Sequence, residues 1–174
     1  MNTQAVSIVS GVISIPDLPA FLKSLNDFSA EYGVKIQSFD ARKIVDADHI
    51  MFAVHRASVA FAAGTNQAKE IGLESMRFSS GQKQIDKSFS MGLIQGENRG
   101  LFVFFGASDE QSKSAQNAFC GVFSLKEDVP FSLDEKKPFL MKQFGITDEE
   151  LNVVGDDKLK ELVMERVALV DVVR

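Results

Sequence analysis

The chain has 174 residues, 45% apolar and 25% charged, a composition that excludes global disorder and suits one domain. A formal net charge of -5 and a pI near 5.1 exclude generic attraction to nucleic acid, so any RNA contact has to be local. One cysteine excludes an intramolecular disulfide, and no apolar run approaches the ~20 residues of a membrane helix.

The N-terminus has no basic segment ahead of an apolar one, so no signal peptide is expected. These features point to a cytoplasmic protein, nuclear as well in a eukaryote, with no membrane partner. Fifteen Phe against one Tyr and no Trp assign most of the aromatic content to core filling.

Residues 4–15 are β-branched and uncharged, which predicts a strand with a bulge at Gly11. A helix follows over about 17–32, with Asp17 as N-cap and Pro19 in its first turn. Phe21, Leu25, Phe28 and Tyr32 form its buried stripe, and Gly33 stops it. Val34 and Ile36 alternate with polar residues and predict a short strand.

Residues 47–63 carry the strongest helical pattern. Ile50, Val54, Ala57 and Phe61 make one stripe, while Met51, Phe52 and Val59 point elsewhere. A helix apolar on several sides is central to a core or shared with a partner, and those three residues are the candidate protein-docking set. Two more helices are expected over 70–79 and 82–94, broken at Ser80-Gly81, with Ile85, Phe89 and Leu93 stacked on the second.

The run 101–106 predicts a buried strand, with Gly92, Gly96 and Gly100 in a flexible turn before it. Ser108 with Gln111 is a capping-box pattern opening a helix to about 120. Residues 125–133, with Pro130, are expected to be irregular. Thr147 with Glu150 repeats the capping pattern, Asp156 is placed as N-cap of a helix near 157–166, and Val167 to Val173 predict a closing strand. The sum is an α+β fold, a small mixed or antiparallel sheet covered by several helices, in a single domain over 1–174.

Catalytic patterns are missing. No nucleophile elbow, phosphate-binding P-loop or kinase signature is present. His49 and His55 are six positions apart and point to different sides of a helix, so no metal site is expected. Cys120 has no base near it in sequence and is assigned to packing. Asp148, Glu149 and Glu150 follow Thr147 and suit the N-terminal end of a helix dipole. The expectation is therefore a non-enzyme without catalytic residues, cofactor or metal.

The stretch 77–87, RFSSGQKQIDK, stands apart. It places hydroxyls and a glycine where a helix start favours an anion, with Lys83 and Lys87 on one face and Arg77 approaching from the preceding helix. Such a group suits a phosphate and a splayed base; it equally suits a glycine turn between helices with solvated lysines.

That stretch also carries a resemblance. Ser80, Gly81, Gln84 and Ile85 resemble the S-G-x-x-Q-I core of the KEOPS subunit that binds the complex's atypical kinase, the PRPK-binding or TPRKB-like family. His49-Ile50-Met51 with Ala53, Arg56 and Ala57 is similar to the family's long helix. Asn66-Gln67-Ala68 with Glu74 and Arg77 is similar to its entry into the motif, and Glu165 to Val170 to its closing passage.

The resemblance implies a non-catalytic regulatory adaptor. It would support the kinase-like ATPase of a complex that makes threonylcarbamoyl-adenosine in tRNA, and would help dock the tRNA 3′ end. On that footing Arg77, Ser80, Gly81, Lys83 and Lys87 are the expected tRNA or phosphate contacts, and Met51, Phe52 and Val59 the kinase contacts. The alternative is a free-standing protein that binds a small phosphorylated ligand at the helix start near 80–87.

Overall fold

In a computed structural model, residues 4–127 and 132–172 are described. Their contacts group into two compact units, Met1–Ala41 with Gly92–Pro130, and Arg42–Met91 with Phe131–Arg174. Each has its own core and is taken in turn.

The first unit holds a four-stranded antiparallel sheet, ordered β2-β3-β1-β4, from β1 (Ala5–Ile15), β2 (Lys35–Asp40), β3 (Gly96–Gly106) and β4 (Lys126–Glu127). Two helices belong to it, α1 (Leu18–Tyr32) and α5 (Asp109–Val122); the helices numbered between them belong to the other unit. The expected antiparallel α+β arrangement is present. β1 pairs with β3 in unbroken register from Ala5↔Gly106 to Ile15↔Gly96, so Gly11 is not a bulge. It is glycine because a Cβ there would lie 2.3 Å from the Lys126 carbonyl oxygen of β4.

Gly96 and Gly100 belong to β3 rather than to a turn, and the Phe102 ring covers Gly100, 2.7 Å from where a Cβ would stand. The turn itself is closed by Asn98, whose side chain accepts from Ile94 N–H (2.9 Å) and donates to the Ile94 carbonyl (2.7 Å). Between sheet and helices lies an aromatic core of Phe28, Phe102, Phe104 and Phe119, edged by Phe21, Tyr32 and Phe123. Asp17 caps α1 by accepting from Ala20 N–H (2.9 Å), and Gly33 ends it at φ 64°. Ser108 caps α5 through Gln111 N–H (3.1 Å), while the Gln111 amide donates to the Tyr32 and Gly33 carbonyls and ties the two helices together.

The second unit is helical: α2 (Ala47–Ala63), α3 (Ile71–Ser79), α4 (Ile85–Ser88), α6 (Leu133–Phe144), α7 (Asp148–Val154) and α8 (Leu159–Ala168). α6 had no counterpart in the sequence reading. Its capping box, Ser132 with Glu135, is complete, and Pro138 lies inside it. Val45, Leu140, Phe144, Leu151, Val163 and Val167 make a core on which Phe52 also packs.

Three expectations are corrected in this unit. The helix expected over 82–94 is one turn, α4, followed by a 3-10 turn at Phe89–Met91; Phe89 is exposed and Leu93 packs in the core of the first unit. Asp156 does not cap α8 but pairs with Lys137 at 3.1 Å. The closing strand is absent among the described residues: α8 runs to Ala168 and a turn follows, with Val167 and Val170 buried at helical spacing, while Val173 lies outside the described residues. Much of the expected irregular stretch, Pro130 included, lies outside them too.

Candidate functional site

The turn between α3 and α4 is the centre of the motif region. α3 ends because Gly81 takes φ 69°, its N–H donating to the Phe78 carbonyl at 3.1 Å. A Cβ on Gly81 would meet the Phe144 ring at 3.2 Å and Arg166 Cβ at 3.4 Å, so the residue is selected by close packing as well as by its backbone. The chain then passes through Gln82–Gln84 into α4.

Arg77 and Ser80 are inside. Arg77 is fully buried; its guanidinium donates to Glu74 through Nη2 (2.7 Å) and Nε (3.2 Å) and to Asp171 through Nη1 (3.0 Å). Glu74, also fully buried, accepts in addition from Ala68 N–H at 2.9 Å. Ser80 Oγ donates to the Arg77 carbonyl (2.7 Å) and accepts from Gln82 N–H (3.1 Å), which fixes the turn. The expectation that Arg77 and Ser80 face a ligand is corrected: both are held by internal partners in a buried network that shapes the loop from beneath.

Gly81, Lys83 and Lys87 do come together. With Gln82 and Gln84 they line one side of an open cavity of about 520 Å³. Lys83 precedes α4 and so is not a helical i, i+4 partner of Lys87, yet both residues line the same cavity, and neither has an ion pair among the described residues. The opposite side comes from the end of α8, namely Glu165, Arg166, Leu169 and Val170. Arg166 is pinned by Glu150, to whose two carboxylate oxygens Nη2 donates at 2.7 and 2.9 Å. These four were missed as site residues: Glu165 and Arg166 were expected at the end of a helix and Leu169 and Val170 in a closing strand, and neither placement points to the Gly81 turn.

The three candidate docking residues of α2 differ in exposure. Met51 and Val59 are exposed, at 42% and 49%, and share a face with the exposed His55 and Ser58. Phe52 is partly buried and packs on the core, so less of it is open than of Met51 and Val59.

His49, on the inward face of α2, is fully buried. Its Nδ1 accepts from Val45 N–H at 3.1 Å, so Nε2 carries the proton and donates to the Ser79 carbonyl at 2.9 Å. Burial pushes its pKa down to about 4, keeping the ring neutral. Nearby, buried Lys136 donates to the Ile44 and Val45 carbonyls at 2.8 and 3.0 Å, and burial lowers its pKa. In the first unit Cys120 is partly buried and its thiol pKa is raised, chiefly by burial, with Glu127 adding to it. Among the described residues no His, Cys, Asp and Glu side chains cluster in groups of three or more that would hold a metal, and no helix is long and apolar enough to cross a membrane.

Comparison with known proteins matches residues 18–171 to the family described as Kinase binding protein CGI-121. No curated protein matches the chain.

Proposed function

The chain belongs to the CGI-121 family of kinase-binding proteins, and from that premise we propose that it is the non-catalytic adaptor of a KEOPS-type complex. In this reading it binds and supports a kinase-like ATPase and docks the tRNA 3′ end during threonylcarbamoyl-adenosine formation. Kinase contact is assigned to the outer face of α2 around Met51 and Val59. An exposed apolar pair on a helix anchored by its opposite face suits a protein partner. The tRNA end is assigned to the cavity between the 81–87 loop and the end of α8.

The observation that carries the RNA assignment is that Lys83 and Lys87, neither ion-paired among the described residues, line one cavity with two Gln side chains, the apolar Leu169 and Val170, and the oppositely charged Glu165 and Arg166. Amines suit phosphates, and amides suit the edges of unpaired bases. A net charge of -5 does not oppose this, because a docked phosphate responds mainly to groups within a Debye length, about 8 Å at physiological salt.

The test is a titration of the purified chain with its cognate kinase-like subunit and with tRNA carrying or lacking its 3′-terminal nucleotides. Expected are kinase binding and a weak tRNA affinity that depends on the 3′ end, with a shallow salt slope from two or three phosphate contacts. Reversing Lys83 and Lys87 together to Glu should abolish tRNA binding and spare kinase binding. Equal affinity for the truncated tRNA would remove the RNA assignment.

A further inference from the structure

Two buried side-chain polar atoms among the described residues have no hydrogen-bond partner, Ser7 Oγ and Arg56 Nε. The second weighs more, because a guanidinium keeps its charge and cannot shed its need for an acceptor. Buried polar groups are paired as a rule, and an exception calls for a cause.

Arg56 stands on α2, four positions after Phe52 and three before Val59, so it borders the exposed face that carries Met51, His55 and Val59. Its guanidinium carbon lies 5.5 Å from the centroid of the Phe78 ring, and that of Arg77 lies 4.4 Å from the same ring. The two cations are supplied differently. Arg77 draws on both Glu74 and Asp171, whereas the Arg56 side chain has no hydrogen bond or ion pair among the described residues. Glu74 has none to spare, since its second oxygen accepts from the Gln67 and Ala68 N–H groups. Packing against Phe78 therefore holds the Arg56 fork in place without neutralising it. Nε is its buried end; the residue as a whole is partly open, which leaves the Nη end within reach from outside.

We infer that Arg56 is the charged anchor of this docking face and takes a carboxylate, an Asp or Glu side chain, of the protein that binds there. The inference rests on the assignment of kinase contact to α2 and adds the chemistry that the partner must present. Two Nη groups meet a carboxylate through parallel N–H bonds, and Arg is enriched where interfaces concentrate their energy. The exposed Met51 and Val59 beside it favour a protein side chain over a phosphate, which would leave both apolar groups unmatched. The free chain thus carries an uncompensated cation that the complex satisfies.

The experiment is a calorimetric titration of the full chain with its cognate kinase-like subunit at low and high salt, with a thermal melt of each variant alone. Arg56→Met should bind about 30-fold more weakly or worse, with a flatter salt dependence, because the charge pair is gone. Arg56→Lys should fall between it and wild type, keeping the charge without the fork. Alone, Arg56→Met should melt no lower than wild type, since it keeps an unbranched stem against Phe78 and removes the unpaired donor. Wild-type affinity in Arg56→Met, where Met51→Asp with Val59→Asp does weaken binding, overturns this inference alone. Full-strength binding by all of these variants takes away the α2 docking reading and this inference with it. A lower melting temperature in Arg56→Met with affinity and salt dependence intact also overturns it, and leaves Arg56 a packing residue for Phe78.

Discussion

Arg77 and Asp171 form a 3.0 Å ion pair that joins positions 94 apart in the chain and ties the turn after α8 to α3. Arg77 is buried and held from its other side by buried Glu74, so the two carboxylates share one guanidinium, while the Asp171 side chain is 38% exposed. Removing either partner has unequal consequences. Glu74→Ala leaves a buried cation half-compensated and orphans the Ala68 N–H, and should cost about 3–5 kcal/mol. Asp171→Asn keeps an acceptor at a wetter position and should cost about 1 kcal/mol. Urea denaturation of both variants checks the ordering; equal costs would mean that Arg77 draws no more from the buried partner than from the wet one.

Gly81 and Gly64 have nearly the same backbone, φ 69° and 68°, but differ in surroundings. A Cβ at Gly64 meets nothing within 4 Å, whereas one at Gly81 meets the Phe144 ring at 3.2 Å. Gly64→Ala should therefore show the left-handed backbone cost alone, about 1–2 kcal/mol. Gly81→Ala should show that cost plus the displacement of Phe144, roughly 1 kcal/mol more. The difference between the two melting curves isolates the packing contribution.

His49 should make stability fall in mild acid. The unfolded imidazole titrates near 6.5, while the folded one is held near 4. Above pH 6.5 the contribution is fully present. As pH falls below that value the unfolded chain takes up a proton that the native state refuses, and stability is lost progressively down to about pH 4, by roughly 3 kcal/mol from this group. Urea unfolding from pH 7 to 4, with the His49 ring followed by NMR, checks it. A His49 resonance that titrates near 6.5 in the folded protein would contradict the buried, neutral assignment.

The two sides of α2 should respond oppositely to mutation. Met51→Asp with Val59→Asp alters exposed positions and should change stability by no more than about 0.5 kcal/mol per site, while weakening kinase binding at least ten-fold. Phe52→Ala removes a ring from the core and should cost about 2 kcal/mol with little direct effect on the partner. Calorimetric titration with the kinase-like subunit beside thermal melts separates these outcomes. Full-strength binding by the double Asp variant would move the interface off this face.

Much of the fold was legible because local and tertiary preferences agree. β1 is uncharged and rich in β-branched residues, and α1 and α2 combine a clear hydrophobic period with stops at Gly33 and Gly64, α1 with a cap at Asp17 as well. Where they disagree, the reading failed. Ile85, Phe89 and Leu93 keep a helical interval, yet the chain leaves the helix after Ser88, and no periodicity discloses that Phe89 turns outward. Val167 to Val172 have strand propensity, but the buried spacing of Val167 and Val170 is helical, and packing prevailed over β-branching. At the site, spacing kept Lys83, Lys87 and Gly81 in one stretch that lines one cavity, but not with the two lysines on one helical face as expected. It did not reveal that Arg77 and Ser80 are buried, since a charge in sequence carries no sign of whether its partner is water or a carboxylate 94 residues away.

The close approach at Gly11 has a bearing on solubility. Beyond Gly11 and Val12, where β4 pairs, no described strand flanks β1 on that side. An alanine at position 11 would push against the Lys126 carbonyl and lift β4 away, removing the one described strand pairing that interrupts this border of β1. Such a border is a template for pairing with another copy of itself. One hydrogen in place of a methyl group therefore helps to keep this sheet from growing into its neighbours, and a substitution there would be felt first as aggregation rather than as loss of binding.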